Sequence, residues 1–260
     1  MRFLQSTALA MVLAVLTLTS CEEDVEKSPV DKEGIEAGFV KGRLVNAQGQ
    51  PIAGATVYAG HTTYYNTNVS GVTDANGYYK LDVDEPGGSW TVHAEVTRPY
   101  NGSNYNFYVH ADEAAPFSGT AGAIRNLTWK LSGAIPGTTN GKYGAKVAYY
   151  DNSAIYIRGE EIEFTLVPQG PLVDGTAGQT LTARATGSFA MTGTTIGSGL
   201  DDVPMGRYRI SARYVPANGG AARALGIRIR DTGTYTDNVV IDFEQWTESL
   251  RLVEVETRLP

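Results

Sequence analysis

The chain has 260 residues, with 28 acidic against 21 basic side chains, so its formal net charge at pH 7 is −7. This acidic balance excludes nucleic acid as a partner, because no basic stripe exists to neutralise phosphates. Glycine (30 residues) and tyrosine (15 residues) are both abundant. Short apolar runs between frequent turns predict an all-β protein, and the length accommodates two domains.

Residues 1–20 form a predicted targeting segment. Arg2 supplies a positive start, and the apolar run from Ala8 to Leu18 is too short for a membrane-spanning helix. Leu18-Thr19-Ser20-Cys21 resembles the lipobox of bacterial lipoproteins, which implies cleavage before Cys21 and attachment of lipid to it. Cys21 is the only cysteine, so the mature chain can form no internal disulfide. The alternative is an ordinary signal peptide followed by a chance cysteine.

Residues 21–35 form a predicted flexible tether, because they are charged, contain Ser28-Pro29 and lack a hydrophobic period. The tether opens with Glu22-Glu23-Asp24. Acidic residues directly after the lipidated cysteine resemble a surface-export signal of polysaccharide-utilising Gram-negative bacteria. The alternative is that they are the solvated start of the tether.

The stretch from Phe39 to Val83 has the clearest pattern. It predicts strands at Val40–Val45, Thr56–Ala59 and Tyr79–Val83. Gly77 is expected to take positive φ in the tight turn that precedes the last of these strands, and Gly54 carries a similar expectation. The residues with strand-like spacing predict one core face: Val40, Leu44, Val57, Tyr79, Leu81 and Val83.

The same stretch carries the pattern G-x-L-x-N-x-x-G-x-P-I-x-G-A-x-V from Gly42 to Val57, followed by T-D-x-x-G-x-Y from Thr73 to Tyr79. This pattern resembles the carboxypeptidase regulatory-like domain. The resemblance implies a small transthyretin-like, Ig-like β-sandwich. It also implies an absence of catalysis, since in that family the domain accompanies a separate catalytic domain.

The predicted first domain covers residues 36–132. Trp90–Val96 is an alternating strand, Pro99–Asn106 is a polar and aromatic hairpin or loop, and further strands are expected at Tyr105–Val109 and Ile124–Leu131. Residues 133–144 are rich in glycine and small side chains, which indicates a linker or connecting loop.

The predicted second domain, residues 145–260, is another β-sandwich. Its strand candidates are Ala145–Tyr150, Glu160–Val167, Thr180–Ala185, Arg207–Val215, Ala224–Ile229, Asn238–Phe243 and Ser249–Val255. A helical turn is expected only at Glu244–Leu250. The predicted fold is thus all-β, with two tandem sandwiches after a lipoprotein signal peptide.

No catalytic or metal site is predicted. His110 and Glu113 have the H-x-x-E spacing of zinc carboxypeptidases, but no histidine follows His110 to complete a zinc site. Ser188 and Ser198 lack a nearby histidine, and the paired carboxylates at 160–161 and 201–202 point to opposite faces of a strand. Structural calcium near Asp231, Asp237 and Asp242 is an alternative to ordinary turn chemistry. No cofactor is predicted.

Tyrosines concentrate in loops of the first domain, among several asparagines. Exposed tyrosine rings stack on sugar faces, and asparagine side chains bond hydroxyl groups. The sequence therefore predicts a glycan contact at Tyr64, Tyr65, Tyr100 and Tyr105, with their loops converging at one end of the sandwich. The alternative is that these rings pack on sandwich edges with their hydroxyls in water.

These observations predict a non-catalytic cell-envelope lipoprotein of the outer membrane, exposed at the cell surface and anchored by lipid at Cys21. It would act as a binding or scaffolding module for polysaccharide or for an envelope protein. Two alternatives stay open: a structural or adhesion protein without a small ligand, and a subunit of a peptidase or glycan-degrading system with unrecognised catalysis.

Overall fold

The computed structural model describes residues 34–190, 196–247 and 250–260. Strands dominate this part of the chain, where the only helical element is a short 3-10 turn at Gly159–Glu161. The all-β prediction is confirmed. The predicted signal peptide, Cys21 and nearly all of the predicted tether lie outside the described residues.

The first half of the chain folds into two facing sheets, together called the first sandwich. Its strands are β1 (Phe39–Asn46), β2 (Thr56–His61), β3 (Asn68–Val72), β4 (Tyr78–Asp82), β5 (Ser89–Tyr100), β6 (Ser103–His110), β7 (Phe117–Ser118), β8 (Ala123–Ile124) and β9 (Leu127–Trp129). One sheet has the order β4-β1-β8, with β9 also beside β1, and the other has β3-β2-β5-β6, with β7 beside β5. Strands β8 and β9 run parallel to β1.

Alternating apolar residues of these strands meet between the two sheets. The predicted core face is confirmed, because all of its members are buried: Val40, Leu44, Val57, Tyr79, Leu81 and Val83. Strand β5 adds its predicted inward face of Trp90, Val92, Ala94 and Val96. Burial of a large apolar side chain contributes roughly 1.5–3 kcal/mol, so this shared face is the main source of stability for the first sandwich.

Two glycines of the first-sandwich motif are required by close backbone contacts. Gly77 has the predicted positive φ of +80°, and a Cβ at that position would collide with the carbonyl oxygen of Leu44. A Cβ at Gly42 would collide with the carbonyl oxygen of Arg125, which lies in the break between β8 and β9. The Tyr79 hydroxyl donates to that same carbonyl at 2.5 Å. Gly42 therefore leaves room for the Arg125 carbonyl, which accepts this bond from Tyr79 at the other end of the motif.

The second half of the chain forms one ten-stranded sheet that folds over on itself, called the second sandwich. Its strands are β10 (Ala145–Asp151), β11 (Ile162–Pro168), β12 (Leu181–Arg184), β13 (Gly187–Ala190), β14 (Ile196–Val203), β15 (Tyr208–Tyr214), β16 (Arg223–Ile229), β17 (Val239–Ile241), β18 (Glu244–Gln245) and β19 (Arg251–Arg258). The main path is β12-β11-β15-β16-β19-β10-β14-β13. Strand β17 pairs with β15, and β18 pairs with β19.

Strand β16 produces the fold-over. Its residues 223–225 pair with β15, and its residues 226–229 pair with β19. A strand that changes partners along its length turns one layer onto the next. Buried Phe164 and Ile210 of one layer consequently share a core with Val147 and Val255 of the other.

The structure corrects several predictions made from the sequence. Strands β3, β7, β13 and β14 were not predicted, because β3 is short and polar, β7 has only two residues, β13 has only four, and β14 is rich in glycine. The helical turn expected at Glu244–Leu250 is wrong where the structure describes it: Glu244 and Gln245 form β18 and pair with β19. Pairing with a neighbouring strand here outweighs a weak local preference for helix.

The segment between the sandwiches is held at both ends by one side chain. The Asp202 carboxylate accepts hydrogen bonds from the backbone N–H groups of Gly133 (2.8 Å) and Gly144 (3.0 Å). Asp202 itself has a positive φ of +66°. No described strand of one sandwich pairs with a strand of the other, and the division into domains at residues 36–132 and 145–260 stays a prediction.

Candidate functional site

The four tyrosines predicted to contact glycan lie at opposite ends of the first sandwich. His61, at the end of β2, pairs with Trp90 near the start of β5, so the following loop with Tyr64 and Tyr65 lies at that end. Tyr100 ends β5, which has 12 residues and therefore extends roughly 35 Å. The structure thus does not bring the two pairs together, and the expected convergence at one end is wrong.

Residues 62–67, here called the tyrosine loop, are held in place by His61. The Nδ1 atom of His61 accepts hydrogen bonds from the backbone N–H groups of Thr63 and Tyr64 at 3.1 and 3.0 Å, and its Nε2 atom lies 3.2 Å from the Gly87 carbonyl oxygen. The Tyr64 ring stacks on the imidazole with a centroid distance of 4.6 Å. Tyr65 is 99% exposed, so this braced loop presents a tyrosine ring directly to solvent.

The other two tyrosines belong to a tight hairpin that docks on the second sandwich. Asn101 and Gly102 both have positive φ, as a two-residue hairpin turn between β5 and β6 requires. The Tyr100 hydroxyl donates to the Pro171 carbonyl at 2.9 Å and accepts from the Arg207 backbone N–H at 2.8 Å. Tyr100 is therefore a structural link between the sandwiches, and its hydroxyl is already engaged.

An ion pair beside Tyr100 reinforces this junction. The Arg207 guanidinium donates from Nε and Nη2 to the Asp242 carboxylate at 3.0 and 2.6 Å. The hydrogen bonds to Asp242 raise the pKa of Arg207. The Asn101 side-chain amide approaches the same carboxylate at 3.4 Å. Both partners of the ion pair are partly exposed, so its main effect is to fix the geometry of the junction rather than to add much stability.

A cleft of about 290 Å³ opens between the hairpin and the second sandwich. It is called the junction cleft, and its walls are Asn101, Ser103, Asn104, Tyr105, Asp242, Phe243, Glu244 and Gln245. Phe243 is buried, whereas the amide-bearing side chains of Asn104 and Gln245 are exposed. The cleft therefore combines an apolar residue and a tyrosine ring with several neutral groups that both donate and accept hydrogen bonds.

Tyr105 is the aromatic wall of the junction cleft. Its ring meets the Tyr100 ring edge to face, with centroids 5.9 Å apart. Burial raises the pKa of Tyr105, and the nearby Asp242 carboxylate raises it further. The phenol consequently stays protonated at neutral pH and keeps a hydroxyl group that donates and accepts.

A second group of aromatic residues lines the outer face of the β3-β2-β5-β6 sheet. Tyr58, His93 and Tyr108 form a ladder in which the centroid distances are 5.1 and 4.3 Å and the rings are nearly parallel. Side chains on adjacent strands stack this way because the strands are about 4.8 Å apart. The inner ring faces cover one another, so the ladder presents edges to solvent and offers no flat platform for a sugar.

Burial in this ladder, together with the charge of the neighbouring His110, lowers the pKa of His93 from 6.5 to about 4. Burial also lowers the pKa of His110. Both imidazoles are therefore neutral at pH 7, which suits stacking between tyrosines. Acid–base catalysis usually needs two titratable groups whose pKa values are shifted in opposite directions. In this described ladder the pKa values of His93 and His110 are both lowered.

The residues tested for catalysis have other partners. Glu113 accepts from Arg125 at 3.0 Å, while the His110 ring contacts the Tyr108 ring at a tilted angle, so the H-x-x-E pair does not converge on one point. Asp201 pairs with Lys146, and Asp202 holds the connecting segment. Across residues 34–190, 196–247 and 250–260, no group of three His, Cys, Asp or Glu side chains is arranged to hold a metal ion.

Sequence reasoning missed half of the junction cleft. The sequence suggests Asp242 only as a calcium ligand, whereas in the structure its carboxylate pairs with Arg207. Glu244 and Gln245 were assigned to a helical turn, although they form β18 at the cleft wall. The Asn101-Gly102 dipeptide was the available signal, because it predicts a hairpin that projects from the sheet.

Comparison with known proteins supports the first sandwich. Residues 40–118 match the carboxypeptidase regulatory-like domain, as the motif implied. No curated protein matches the sequence. Within the described residues, no helix has the length and hydropathy needed to cross a membrane.

Solved structures of several bacterial proteins match the chain at low similarity. The Bacillus anthracis TIE protein is 14% identical, with 85% of this chain and 34% of that chain covered and a TM-score of 0.31. The C-terminal fragment of pilus adhesin SpaC from Lactobacillus rhamnosus GG is 12% identical over 86% of this chain and 100% of its own, with a TM-score of 0.22. The major pilin subunit of Bacillus cereus is 10% identical over 85% and 99%, with a TM-score of 0.22. Scores this low carry no functional argument.

Proposed function

We propose that this protein is a non-catalytic surface lipoprotein that binds polysaccharide, with the junction cleft as its principal contact. The observation that carries the proposal is the composition of the cleft, where a tyrosine ring stands among amide and hydroxyl groups. Sugars present apolar ring faces and many hydroxyl groups, and binding sites match them with an aromatic surface and a few placed polar groups.

The rigidity of the cleft supports this proposal. Its two walls come from different sandwiches, and the Tyr100 hydroxyl joins them through hydrogen bonds of 2.9 and 2.8 Å. The ion pair of Arg207 and Asp242 fixes the second-sandwich side next to this joint. A cleft that is already formed loses little conformational entropy when a ligand enters. The tyrosine loop is a second proposed sugar contact, because Tyr64 and Tyr65 are exposed on a braced loop.

The proposal includes attachment of the protein to the outer membrane through a lipidated Cys21. Cleavage before Cys21 and lipidation of its thiol would hold the protein at the outer membrane, facing outward, with residues 21–35 as the tether. Mass spectrometry of the native N-terminus tests this directly, with a diacylated Cys21 as the expected result. Cys21→Ser should release the protein from the membrane fraction, because acyl-chain burial supplies the anchoring free energy. A mature chain without lipid would contradict the anchor while leaving the cleft proposal intact.

Binding itself is tested with the full-length chain in mild detergent against immobilised polysaccharides of plant, fungal and bacterial origin. For a polysaccharide that binds, Tyr105→Ala and Asn104→Ala should each weaken affinity about tenfold, roughly 1.4 kcal/mol. The matched control is Tyr156→Ala, which removes a tyrosine that is 88% exposed on the second sandwich, away from the cleft walls. Thermal unfolding of each variant checks that folding is preserved.

Two results would contradict the cleft assignment. Binding that survives both cleft substitutions would move the site elsewhere, with the tyrosine loop the next region to test. A chain that binds no polysaccharide would favour a scaffolding or adhesion role instead.

A further inference from the structure

The junction cleft has an unequal distribution of charge. Two of its eight wall residues, Asp242 and Glu244, carry carboxylates, and none carries a cationic side chain. Glu244 is exposed and forms no ion pair with any residue that the structure describes. A narrow opening lined by one sign of charge repels ligands of that sign more strongly than a flat surface does.

Two cations, Arg207 and Arg251, lie near Tyr105, but neither is a wall of the cleft. Arg207 donates to both carboxylate oxygens of Asp242, so its charge is matched by its partner. Arg251 is buried and donates to the backbone carbonyls of Asn106 and Thr247. Recognition of a sugar carboxylate or sulfate normally uses a guanidinium whose paired donors face the ligand. Here the Nε and Nη2 donors of Arg207 already face a protein carboxylate. The uncompensated charge at the cleft wall is that of Glu244.

The polar groups left for a ligand are neutral. The side-chain amides of Asn104 and Gln245 have no hydrogen-bond partner among the described residues, and both line the cleft. An amide donates and accepts, as does a sugar hydroxyl, whereas an ionised carboxylate or sulfate only accepts. These groups therefore complement hydroxyls better than anions.

We propose that the junction cleft selects neutral sugar chains and rejects chains that carry carboxylate or sulfate groups. This inference rests on the proposed function, since it specifies the ligand class of the same site. Glu244 sets the selectivity, while Asn104, Gln245 and Tyr105 make the favourable contacts with hydroxyl groups and the sugar ring.

The test uses three neutral polymers, a glucan, a mannan and a xylan, each in three forms of matched chain length. One form is unmodified, one is carboxymethylated, and one is hydroxyethylated as a neutral control for the bulk of the added group. Affinity for the full-length chain is measured at low ionic strength, where long-range charge effects are least screened. For a polymer that binds in its unmodified form, carboxymethylation should weaken the affinity at least about fivefold. Hydroxyethylation of the same polymer should weaken the affinity much less.

Two variants sharpen the result. Glu244→Gln removes the unpaired charge at nearly constant volume. In this variant the affinity for the carboxymethylated polymer should be close to the affinity for the hydroxyethylated one. Glu95→Gln is the matched control, because Glu95 is an exposed carboxylate on β5 outside the cleft, and it should leave the difference unchanged. Raising the salt concentration should also narrow the difference in the unmodified protein.

The outcomes separate the two proposals. Equal or tighter binding of the carboxymethylated polymer overturns the selectivity while leaving polysaccharide binding in place. A difference that Glu244→Gln does not reduce also overturns it. Absence of binding to all polymers in every form contradicts the proposed function and the selectivity with it.

Discussion

Two tyrosine-rich loops of the same sandwich have opposite environments. In the tyrosine loop, Tyr65 is almost fully exposed and His61 braces the backbone from within the first sandwich. In the β5–β6 hairpin, Tyr100 is half buried and bonded to two backbone groups of the second sandwich. Similar composition therefore gives a free contact surface at one end and a structural joint at the other. The two environments differ because the second sandwich contacts the β5–β6 hairpin through Tyr100.

The largest expected effect concerns the first sandwich itself, which carries both loops, and is predicted for the turn at Gly77. Gly77→Ala should lower the free energy of unfolding by about 2–4 kcal/mol, because it combines positive φ with a collision against the Leu44 carbonyl oxygen. Gly49→Ala is the matched control, since Gly49 has nearly the same φ of +78° with nothing within 4 Å of a new Cβ. It should cost about 1 kcal/mol from the φ preference alone. Urea denaturation that gave equal losses would remove the collision from the explanation.

The next effect tests the contrast between the loops directly. Tyr100→Ala should cost about 2–3 kcal/mol, because it removes packing at the junction and leaves the Arg207 N–H and the Pro171 carbonyl without this partner. Tyr65→Ala should change the free energy of unfolding by less than about 0.5 kcal/mol. Chemical denaturation of both variants provides the measurement. Similar losses in the two variants would show that the tyrosine loop has a structural role too.

The features that the sequence predicts correctly depend on interactions between residues that are close together in the chain. The Asp74–Gly77 turn follows from chemistry within a few residues, because the Asp74 carboxylate accepts from the backbone N–H groups of Asn76 and Tyr78 at 2.8 Å. The inward face of β5 follows from simple alternation between Trp90 and Val96. Such features need no knowledge of the rest of the chain, and the structure confirms them.

Long-range contacts account for what was not predictable. Tyr100 bonds to residues 71 and 107 positions further along the chain, and Asn101 approaches Asp242 across 141 positions. No local pattern specifies which of two tyrosine-rich loops meets another domain. The sequence could therefore indicate loops rich in tyrosine and asparagine, but only the folded arrangement assembles the junction cleft and separates it from the tyrosine loop.

Acid should weaken the sheet that joins the two loops. His93 in the unfolded chain takes up a proton near its ordinary pKa of 6.5, whereas the folded chain resists until about pH 4. Between these values the unfolded state binds more protons, so the free energy of unfolding falls as the pH falls. The expected loss is about 1–2 kcal/mol, allowing for partial exposure of the ladder.

The control for this acid effect is His93→Phe, which keeps an aromatic ring between Tyr58 and Tyr108 without a titratable group. Urea denaturation at several pH values between 4 and 7 should show a flatter profile for this variant than for the original chain. An unchanged profile would assign the pH dependence to another group, with His110 the first to examine.

The ion pair at the docked hairpin should contribute a smaller amount. A double-mutant cycle with Arg207→Gln and Asp242→Asn should give a small favourable coupling energy, because the geometry is bidentate but both side chains are partly exposed. The same cycle at Lys80 and Glu36, where the pair makes a single contact on the surface of the first sandwich, should give a smaller coupling energy. Coupling near zero at Arg207 and Asp242 would show that this ion pair does not stabilise the second-sandwich side of the junction.

The smallest expected change in stability belongs to the exposed end, where binding is the informative measurement. Tyr65 has almost no contact to lose, so Tyr65→Ala isolates any role in recognition from a role in folding. If the tyrosine loop is a second sugar contact, the variant should bind a long polysaccharide about fivefold more weakly, roughly 1 kcal/mol. A short oligosaccharide that fits only the junction cleft should bind equally to the variant and the original chain, because roughly 35 Å of β5 separates the two sites. Equal loss with long and short ligands would contradict the assignment of Tyr65 to a second, separate sugar contact.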